Sequence, residues 1–334
     1  MGLKVIKSGI TDTIQDHGRY GYQFSGINPS GAMDKYAMQI GNCLVGNARN
    51  EAVIEMHFPA AVFLFTQPVL IAITGADFAA TINGDPVPNY HPILVGKNDV
   101  LQFHQPISGA RVYLSIAGGL QINEWLNSCS TNLKAKAGGF KGRALQKDDE
   151  VLLKSPGVFS SSLKDFIILP WSVDIDWLTP EYDYEKNYLA VLPGQEWDRL
   201  TTQSKENFTM TSFVITQQSD RMGYRLDNIP LSCIRNEEIV STGVTFGTIQ
   251  LLPDGKLILL MADHQTTGGY PRIAHVISAH HAAAAQFKPG DKINFRLTTH
   301  ATAEELYIKQ QQHLLQLENA CTFRLQEYFH ANRY

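Results

Sequence analysis

Cysteine is scarce in this chain, and its four copies lie far apart. They are Cys43, Cys129, Cys233 and Cys321, and no two of them form a C-x-x-C pair. Zinc sites and redox motifs need thiols at short spacing, so the sequence indicates neither. We expect free and mostly buried thiols, as is usual in a reducing cytoplasm.

Positive charge and long apolar runs are also lacking. Lysine and arginine total 28 against 32 acidic residues, for a net charge of −4. Non-specific nucleic-acid binding needs a basic face, so we expect no nucleic-acid partner. No stretch approaches the ~18 consecutive apolar residues of a membrane span, and the N-terminus lacks the apolar core of a signal peptide. We therefore expect no membrane partner and a cytoplasmic location.

Several signatures of catalysis and cofactor binding are missing too. The chain has no G-x-S-x-G elbow, no G-x-G-x-x-G fingerprint after a strand and no Walker loop. His275, His280 and His281 fall on a predicted helix, but His275 is five and six residues from the other two. Zinc helices place their histidines four apart, so we predict no metal site.

What the sequence does contain is a series of short strands. The chain has 334 residues, of which 44% are hydrophobic, enough for two domains. Short apolar runs separated by turn residues predict β-barrels or sandwiches rather than a doubly wound sheet. Pro253-Asp254-Gly255 lies between two such runs and predicts a hairpin. The predicted strands are Ala61–Phe65, Val69–Thr74, Ile93–Val95, Val100–Phe103, Val112–Ile116, Tyr188–Leu192, Phe213–Thr216, Thr248–Leu252, Leu257–Met261 and Lys292–Leu297.

Few helices are predicted. The first runs from Met33 to Leu44 and is stopped by Gly46-Asn47. The second is the alanine-rich stretch from Arg272 to Phe287. The third runs from Ala303 to Phe329, with its apolar residues three or four apart on one stripe. That stripe fits either docking on the helix's own domain or a subunit contact.

A faint internal repeat predicts two related β-domains in tandem. The pattern R-x-G-Y occurs at residues 19–22 and again at 221–224, each time close after an acidic residue. The polar stretch from Trp171 to Lys186 is the predicted connection. We predict a first domain at 1–185, a second at 186–300 and a helical tail at 301–334.

The most informative segment is the loop that follows the apolar run ending at Ala262. It holds a carboxylate, amide and hydroxyl groups, and two glycines that allow backbone N–H groups to approach a ligand. A helix predicted to begin near Pro271 would favour anions at its N-terminus. The candidate residues are Asp263, Gln265, Thr266, Thr267, Gly268 and Gly269.

Three further segments carry candidate charges. In residues 13–34, Arg19 or Asp34 faces a ligand, or the segment is a structural corner. In residues 216–226, Arg221 and Arg225 hold a carboxylate or phosphate, or pair with neighbouring aspartates. In residues 137–143, three glycines beside Lys141 and Arg143 cradle a phosphate or carboxylate, or form a mobile surface loop.

At these segments the chain resembles the carboxyltransferase-type family that includes the C subunit of 5-oxoprolinase, allophanate hydrolase subunit 2 and the matching half of urea carboxylase. The resemblance runs from about Leu3 to Leu297, with its motifs in the same order. The matching segments are Thr13–Gly21, Gly31–Asp34, Gly46-Asn47, Ser130-Thr131, Gly138-Gly139, Gly142-Arg143, Ser219–Leu226 and Asp263–Tyr270.

The resemblance implies a mainly β fold of two tandem cyclophilin-like β-barrels. It also implies a B-subunit partner related to a sporulation-kinase inhibitor, and an A subunit. Together these would convert 5-oxo-L-proline to L-glutamate with ATP. Alternatively, the chain is a non-catalytic regulator of that inhibitor-like partner, or the carboxyltransferase half of a biotin-dependent urea carboxylase or allophanate hydrolase system.

Residue types suggest roles within such an enzyme. A phosphorylated amide needs cations and a base or a group that orients one. We therefore expect Asp263, Asp34 and Arg221 to be catalytic. We expect substrate binding by Arg19, Arg143, Arg225, Gln265, Thr266, Thr267, Gly268 and Gly269.

Overall fold

The structure, a computed structural model, describes residues 2–155, 165–174, 187–235 and 239–332. The chain forms two compact units whose segments interleave along the sequence. The first comprises Met1–Arg19, Asp34–Asp174 and Gln312–Tyr334, and the second comprises Tyr20–Met33 and Ile175–Gln311. The predicted boundary between residues 185 and 186 lies outside the described residues.

The first unit contains two six-stranded antiparallel sheets, with strand orders β11-β1-β4-β9-β6-β7 and β12-β8-β5-β10-β3-β2. Alternate residues of these strands supply a continuous apolar core, including Val5, Phe63, Ile71 and Leu114. The strands are β1 (Gly2–Lys7), β2 (Thr13–Gln15), β3 (Val53–Met56), β4 (Val62–Phe65), β5 (Val69–Asp77), β6 (Ala80–Ile82), β7 (Asp85–Pro86), β8 (Pro92–Val95), β9 (Val100–Phe103), β10 (Ser108–Ile116), β11 (Glu150–Leu152) and β12 (Ile167–Ile168).

The second unit is a closed seven-stranded barrel with the order β13-β20-β17-β18-β15-β14-β21. Strands β13 and β21 run parallel where the barrel closes, and the other paired strands are antiparallel. Its strands are β13 (Tyr188–Pro193), β14 (Phe213–Ile215), β15 (Gly223–Asp227), β17 (Thr248–Leu251), β18 (Leu257–Leu260), β20 (Arg272–Val276) and β21 (Lys292–Leu297). The same unit also contains a two-stranded antiparallel ribbon formed by β16 (Thr242–Gly243) and β19 (Thr267–Gly268).

The described residues contain four α-helices: α1 (Lys35–Leu44), α2 (Thr202–Met210), α3 (His281–Ala285) and α4 (His300–Asn332). The predicted first and third helices are confirmed as α1 and α4. The part of α4 after Gln311 belongs to the first unit. There Leu314, Cys321 and Leu325 pack with Cys43 and Leu44 of α1 in one apolar cluster.

The mainly β prediction is confirmed, and each predicted strand coincides with an observed one to within a few residues. The predicted hairpin joins β17 to β18. The predicted helix from Arg272 to Phe287 is wrong, because its first five residues form β20. That strand pairs with both β13 and β17, so closure of the barrel outweighs the helix propensity of the alanines, which form only the short α3.

The four cysteines are free, as expected. Burial raises the pKa of the Cys43 thiol to about 12 and that of Cys129 to about 11. These thiols are therefore protonated near neutral pH and are poor nucleophiles.

Candidate functional site

Arg221 and Asp263 form a buried ion pair at one end of the second unit's barrel. Arg221 precedes β15 and Asp263 follows β18, and the antiparallel pairing of Gly223 with Leu260 brings the flanking loops together. The Arg221 Nε lies 2.9 Å from Asp263 Oδ2, and the Nη2 lies 3.3 Å from Oδ1. Their side chains are only 11% and 10% exposed. The register of β15 on β18 thus brings the predicted base, Asp263, into contact with the predicted cation, Arg221, which lies 42 residues earlier in the sequence.

A turn from the N-terminal part of the chain is tied to this pair. The Arg221 Nη2 also donates to the Gly31 carbonyl at 2.6 Å. The Asn28 side chain donates to the Asp263 carbonyl at 2.9 Å. No sequence pattern indicated Asn28, because it is 235 residues away from its partner.

The loop after Asp263 carries the predicted amide and hydroxyl groups. Thr267 and Gly268 form β19, and Gln265 donates to the Gln250 Oε1 at 3.3 Å. A Cβ at Gly268 would lie 2.4 Å from the Gln250 Nε2, so a larger residue here would displace the end of the Gln250 side chain. Gln250, fully buried on β17, was missed because it reads as one residue of an apolar strand. Thr266 accepts from the Val244 N–H through its backbone carbonyl.

The helix predicted to start after Gly269 is absent, because β20 follows the loop. The expectation that a helix N-terminus binds an anion there is therefore wrong. His275, His280 and His281, predicted on one helix, fall on β20, a 3-10 turn and α3.

Arg225 faces away from the barrel interior. It lies on β15 between the buried Tyr224 and Leu226, and the alternation of the strand leaves it exposed. Arg221, in the preceding loop, is mostly buried, so the two arginines predicted to act together have different surroundings.

In the first unit, Arg19 is 1% exposed and packs against Trp125 and the Ser130 backbone. Its guanidinium carbon is 4.7 Å from the centre of the Trp125 ring, and its Nη2 donates to the Ser130 carbonyl. Asp16 accepts hydrogen bonds from the Ser128 and Ser130 hydroxyls. Arg19 and Asp16 therefore both hold the segment that contains Ser128 and Ser130 in place.

The glycine-rich segment packs closely against Ser130 and Arg19. Gly138 has a φ of 67°, and a Cβ there would lie 2.2 Å from the Ser130 carbonyl oxygen. Arg143 donates to both Asp149 oxygens, at 2.6 and 2.7 Å. These hydrogen bonds are the main reason why the pKa of Asp149 lies below its usual value. Arg143 thus has a carboxylate partner within its own unit.

Asp34 caps helix α1. Its Oδ1 accepts from the Ala37 N–H at 2.8 Å, and its own N–H donates to the Tyr113 hydroxyl at 2.8 Å. That hydroxyl donates in turn to Glu55, 2.9 Å away. The capping bond gives Asp34 a structural role beside any catalytic one.

The structure therefore groups Arg221, Asp263 and the Gln265–Gly269 loop within the second unit, while Arg19, Asp34 and Arg143 belong to the first. Within the described ranges, no cluster of three or more His, Cys, Asp or Glu side chains is arranged to hold a metal ion. Among the same residues, no helix has both the length and the apolar character to cross a membrane.

Most of the chain matches a known domain type. The family described as carboxyltransferase domain, subdomain A and B, matches residues 25–297. The chain belongs to this family.

Two bacterial relatives match nearly the whole chain. The C subunit of the Haemophilus influenzae 5-oxoprolinase is 34% identical over 305 residues, covering 91% of this chain and 94% of the relative. Its counterpart in Escherichia coli is 34% identical over 293 residues, covering 88% and 90%.

Much longer fungal proteins contain a similar segment. The urea amidolyase of Lachancea kluyveri is 29% identical over 91% of this chain, which corresponds to 17% of that protein. The crystal structure of the Kluyveromyces lactis urea amidolyase superimposes with a TM-score of 0.86 at 27% identity, covering 95% of this chain and 20% of that one.

Proposed function

We propose that this chain is the C subunit of an ATP-dependent 5-oxoprolinase complex. It would act in the cytoplasm with a B-subunit partner, related to a kinase inhibitor, and an A subunit. The bacterial relatives support this proposal, since they bear that name and match this chain over about nine-tenths of both lengths. The observation that carries the chemistry is the buried Arg221–Asp263 pair.

The reaction explains why such a pair is needed. A lactam resists attack by water near neutral pH, and ATP supplies the energy by phosphorylating the amide oxygen. A cation must then stabilise the charge that develops, and guanidinium groups suit phosphate oxygens. We assign this role to Arg221, and keep Arg19, Arg143 and Arg225 as candidate phosphate or carboxylate ligands.

Asp263 would act as the base or as the group that orients it. Its carboxylate is 10% exposed and held by two hydrogen bonds from Arg221, so it is already oriented in the free chain. Asp34 is the second candidate base. Gln265, Thr266, Thr267, Gly268 and Gly269 would position the substrate.

The test is 5-oxoproline-dependent ATP hydrolysis by the A and B subunits with and without this chain. We expect activity only in the complete mixture. Asp263→Asn should lower kcat by about 100-fold or more, as for the loss of an acid or base catalyst. An Asp263→Asn complex with the activity of the wild type would contradict the assignment.

A matched control separates chemistry from stability. Glu196 and Arg272 form a second buried bidentate pair in the same unit, with N–O distances of 3.0 and 3.1 Å and exposures of 7% and 13%. Glu196→Gln should therefore destabilise the unit comparably while leaving kcat unchanged.

The fungal relatives support a second candidate function, the carboxyltransferase half of a biotin-dependent urea carboxylase or allophanate hydrolase system. It predicts transfer of carboxyl from carboxybiotin to urea. If the chain instead binds its B-type partner but supports neither reaction, it is a non-catalytic regulator of that partner.

A further inference from the structure

Ser30 combines two unfavourable features. It is 1% exposed, and its hydroxyl oxygen has no hydrogen-bond partner in the part of the chain that the structure describes. Its φ of 55° lies in the left-handed region, which a non-glycine residue enters at a cost. A buried hydroxyl without a partner also costs free energy. Packing alone therefore gives no reason for a serine here.

The position of Ser30 relative to the candidate site suggests a reason. It lies between two residues that are tied to the Arg221–Asp263 pair. On one side Asn28 donates to the Asp263 carbonyl at 2.9 Å, and on the other the Gly31 carbonyl accepts from Arg221 at 2.6 Å. Residues on both sides of Ser30 in the sequence thus hydrogen-bond to the two residues that we assign to the chemistry, Asn28 to the Asp263 backbone and Gly31 to the Arg221 guanidinium.

The hydrogen-bonding capacity of the hydroxyl defines a chemical class of ligand. A serine hydroxyl donates one hydrogen bond and accepts others, and a cyclic amide presents both a carbonyl oxygen and an N–H. When polar groups are unpaired in the free protein, the site favours a substrate that forms hydrogen bonds with them.

We infer that Ser30 is a substrate-positioning residue whose hydroxyl hydrogen-bonds to the amide group of a small cyclic amide beside Arg221 and Asp263. The inference rests on the proposed function and adds a specificity determinant to its site. The unpaired hydroxyl lowers the stability of the free chain, and its partner is the substrate.

Ser115 provides a matched control. It lies on β10 of the first unit, is fully buried, and its hydroxyl likewise has no partner within the described residues. Both Ser30→Ala and Ser115→Ala remove a buried, unpaired hydroxyl without adding volume. Only the first removes one from the candidate site.

The experiment measures melting temperature for the free chain and steady-state kinetics for the complete complex with 5-oxo-L-proline and ATP. Neither alanine variant should lower the melting temperature. Ser30→Ala should raise the KM for 5-oxoproline and lower kcat/KM about three- to tenfold, the usual effect of losing one neutral hydrogen bond. Its KM for ATP, and both constants of Ser115→Ala, should equal those of the wild type.

Ser30→Gly extends the test, because it removes both the hydroxyl and the left-handed strain. It should raise the melting temperature above that of Ser30→Ala while showing the same increase in KM. An active wild-type complex together with an unchanged KM in Ser30→Ala overturns the role of Ser30 alone. A drop in melting temperature specific to Ser30→Ala, with unchanged kinetics, does so too. A wild-type complex without 5-oxoproline-dependent ATP hydrolysis overturns the proposed function instead.

Discussion

At the residue scale, the second unit contains two largely buried ion pairs. The Arg221–Asp263 and Arg272–Glu196 pairs resemble each other in geometry and burial. Burial raises the pKa of Glu196, but the hydrogen bonds and charge of Arg272 bring it below its usual value. Removing one member of such a pair leaves an uncompensated charge, at a cost of about 3–5 kcal/mol. The pairs differ in location, because only Asp263 lies in the loop that carries the other candidate ligands.

Asp12 is a buried carboxyl whose pKa shifts in the opposite direction to that of Glu196. It is 1% exposed, and burial raises its pKa from 3.8 to about 7 despite hydrogen bonds from the Gly9 and Ala61 N–H groups. The folded chain therefore binds this proton more tightly than the unfolded chain does. Between pH 4 and about 7, deprotonation in the unfolded state is favoured, and the contribution of Asp12 to stability falls as the pH rises.

We expect Asp12→Asn to remove this pH dependence, because the amide stays neutral. The free energy of unfolding of the wild type, relative to the variant, should decrease between pH 5 and 7 by about 1.4 kcal/mol per pH unit at most and level off above that. Urea unfolding at a series of pH values measures it. A difference that stays constant across the series would show that Asp12 is already ionised.

At the scale of elements, helix α4 shows how one face decides where a helix packs. Its 33 residues carry a stripe that the sequence predicted, and Leu314, Cys321 and Leu325 of that stripe are buried in the first unit. These residues therefore dock on a domain of the same chain, which is one of the two predicted alternatives.

Two adjacent leucines of α4 test this packing. Leu314 is fully buried, whereas Leu315 is 53% exposed. Leu314→Ala should lower the free energy of unfolding by about 2–5 kcal/mol, and Leu315→Ala by about 0.5 kcal/mol or less. Chemical denaturation compares them. Equal losses would mean that the exposed face of α4 is also covered in solution, as in a subunit contact.

Strand β20 shows why local pattern failed where it did. Four alanines at residues 282–285 favour helix, and the prediction extended it back to Arg272. The structure limits the helix to α3 and uses residues 272–276 to join β13 to β17. Hydrogen bonds from two distant strands are not visible in a local window.

At the scale of the whole molecule, the two units are not consecutive in sequence. The segment Tyr20–Met33 belongs to the second unit, where Met33 packs in the barrel core and the Gly31 carbonyl accepts from Arg221. The second unit therefore depends on residues more than 150 positions before its first strand. The predicted boundaries at 185 and 300 remain predictions.

We expect a fragment of residues 187–311 to fold poorly by itself, because it lacks this segment. Urea unfolding followed by circular dichroism should show a broad transition of low cooperativity. Adding a peptide of residues 20–33 should sharpen it, whereas a peptide of the same composition in scrambled order should not. A cooperative transition in the fragment alone, unchanged by the peptide, would contradict this expectation.

Local sequence patterns were enough to specify the mainly β class, most strands, helices α1 and α4, and the segments that carry the candidate charges, because alternation, helical spacing and turn residues act over a few positions. Which of those charged side chains come into contact is decided only by the tertiary structure. Arg221 reaches Asp263 only through the register of β15 on β18, and Asn28 and Gly31 reach them only through the fold of a distant turn. Long-range strand pairing creates those contacts, and no local pattern encodes the partner of a strand.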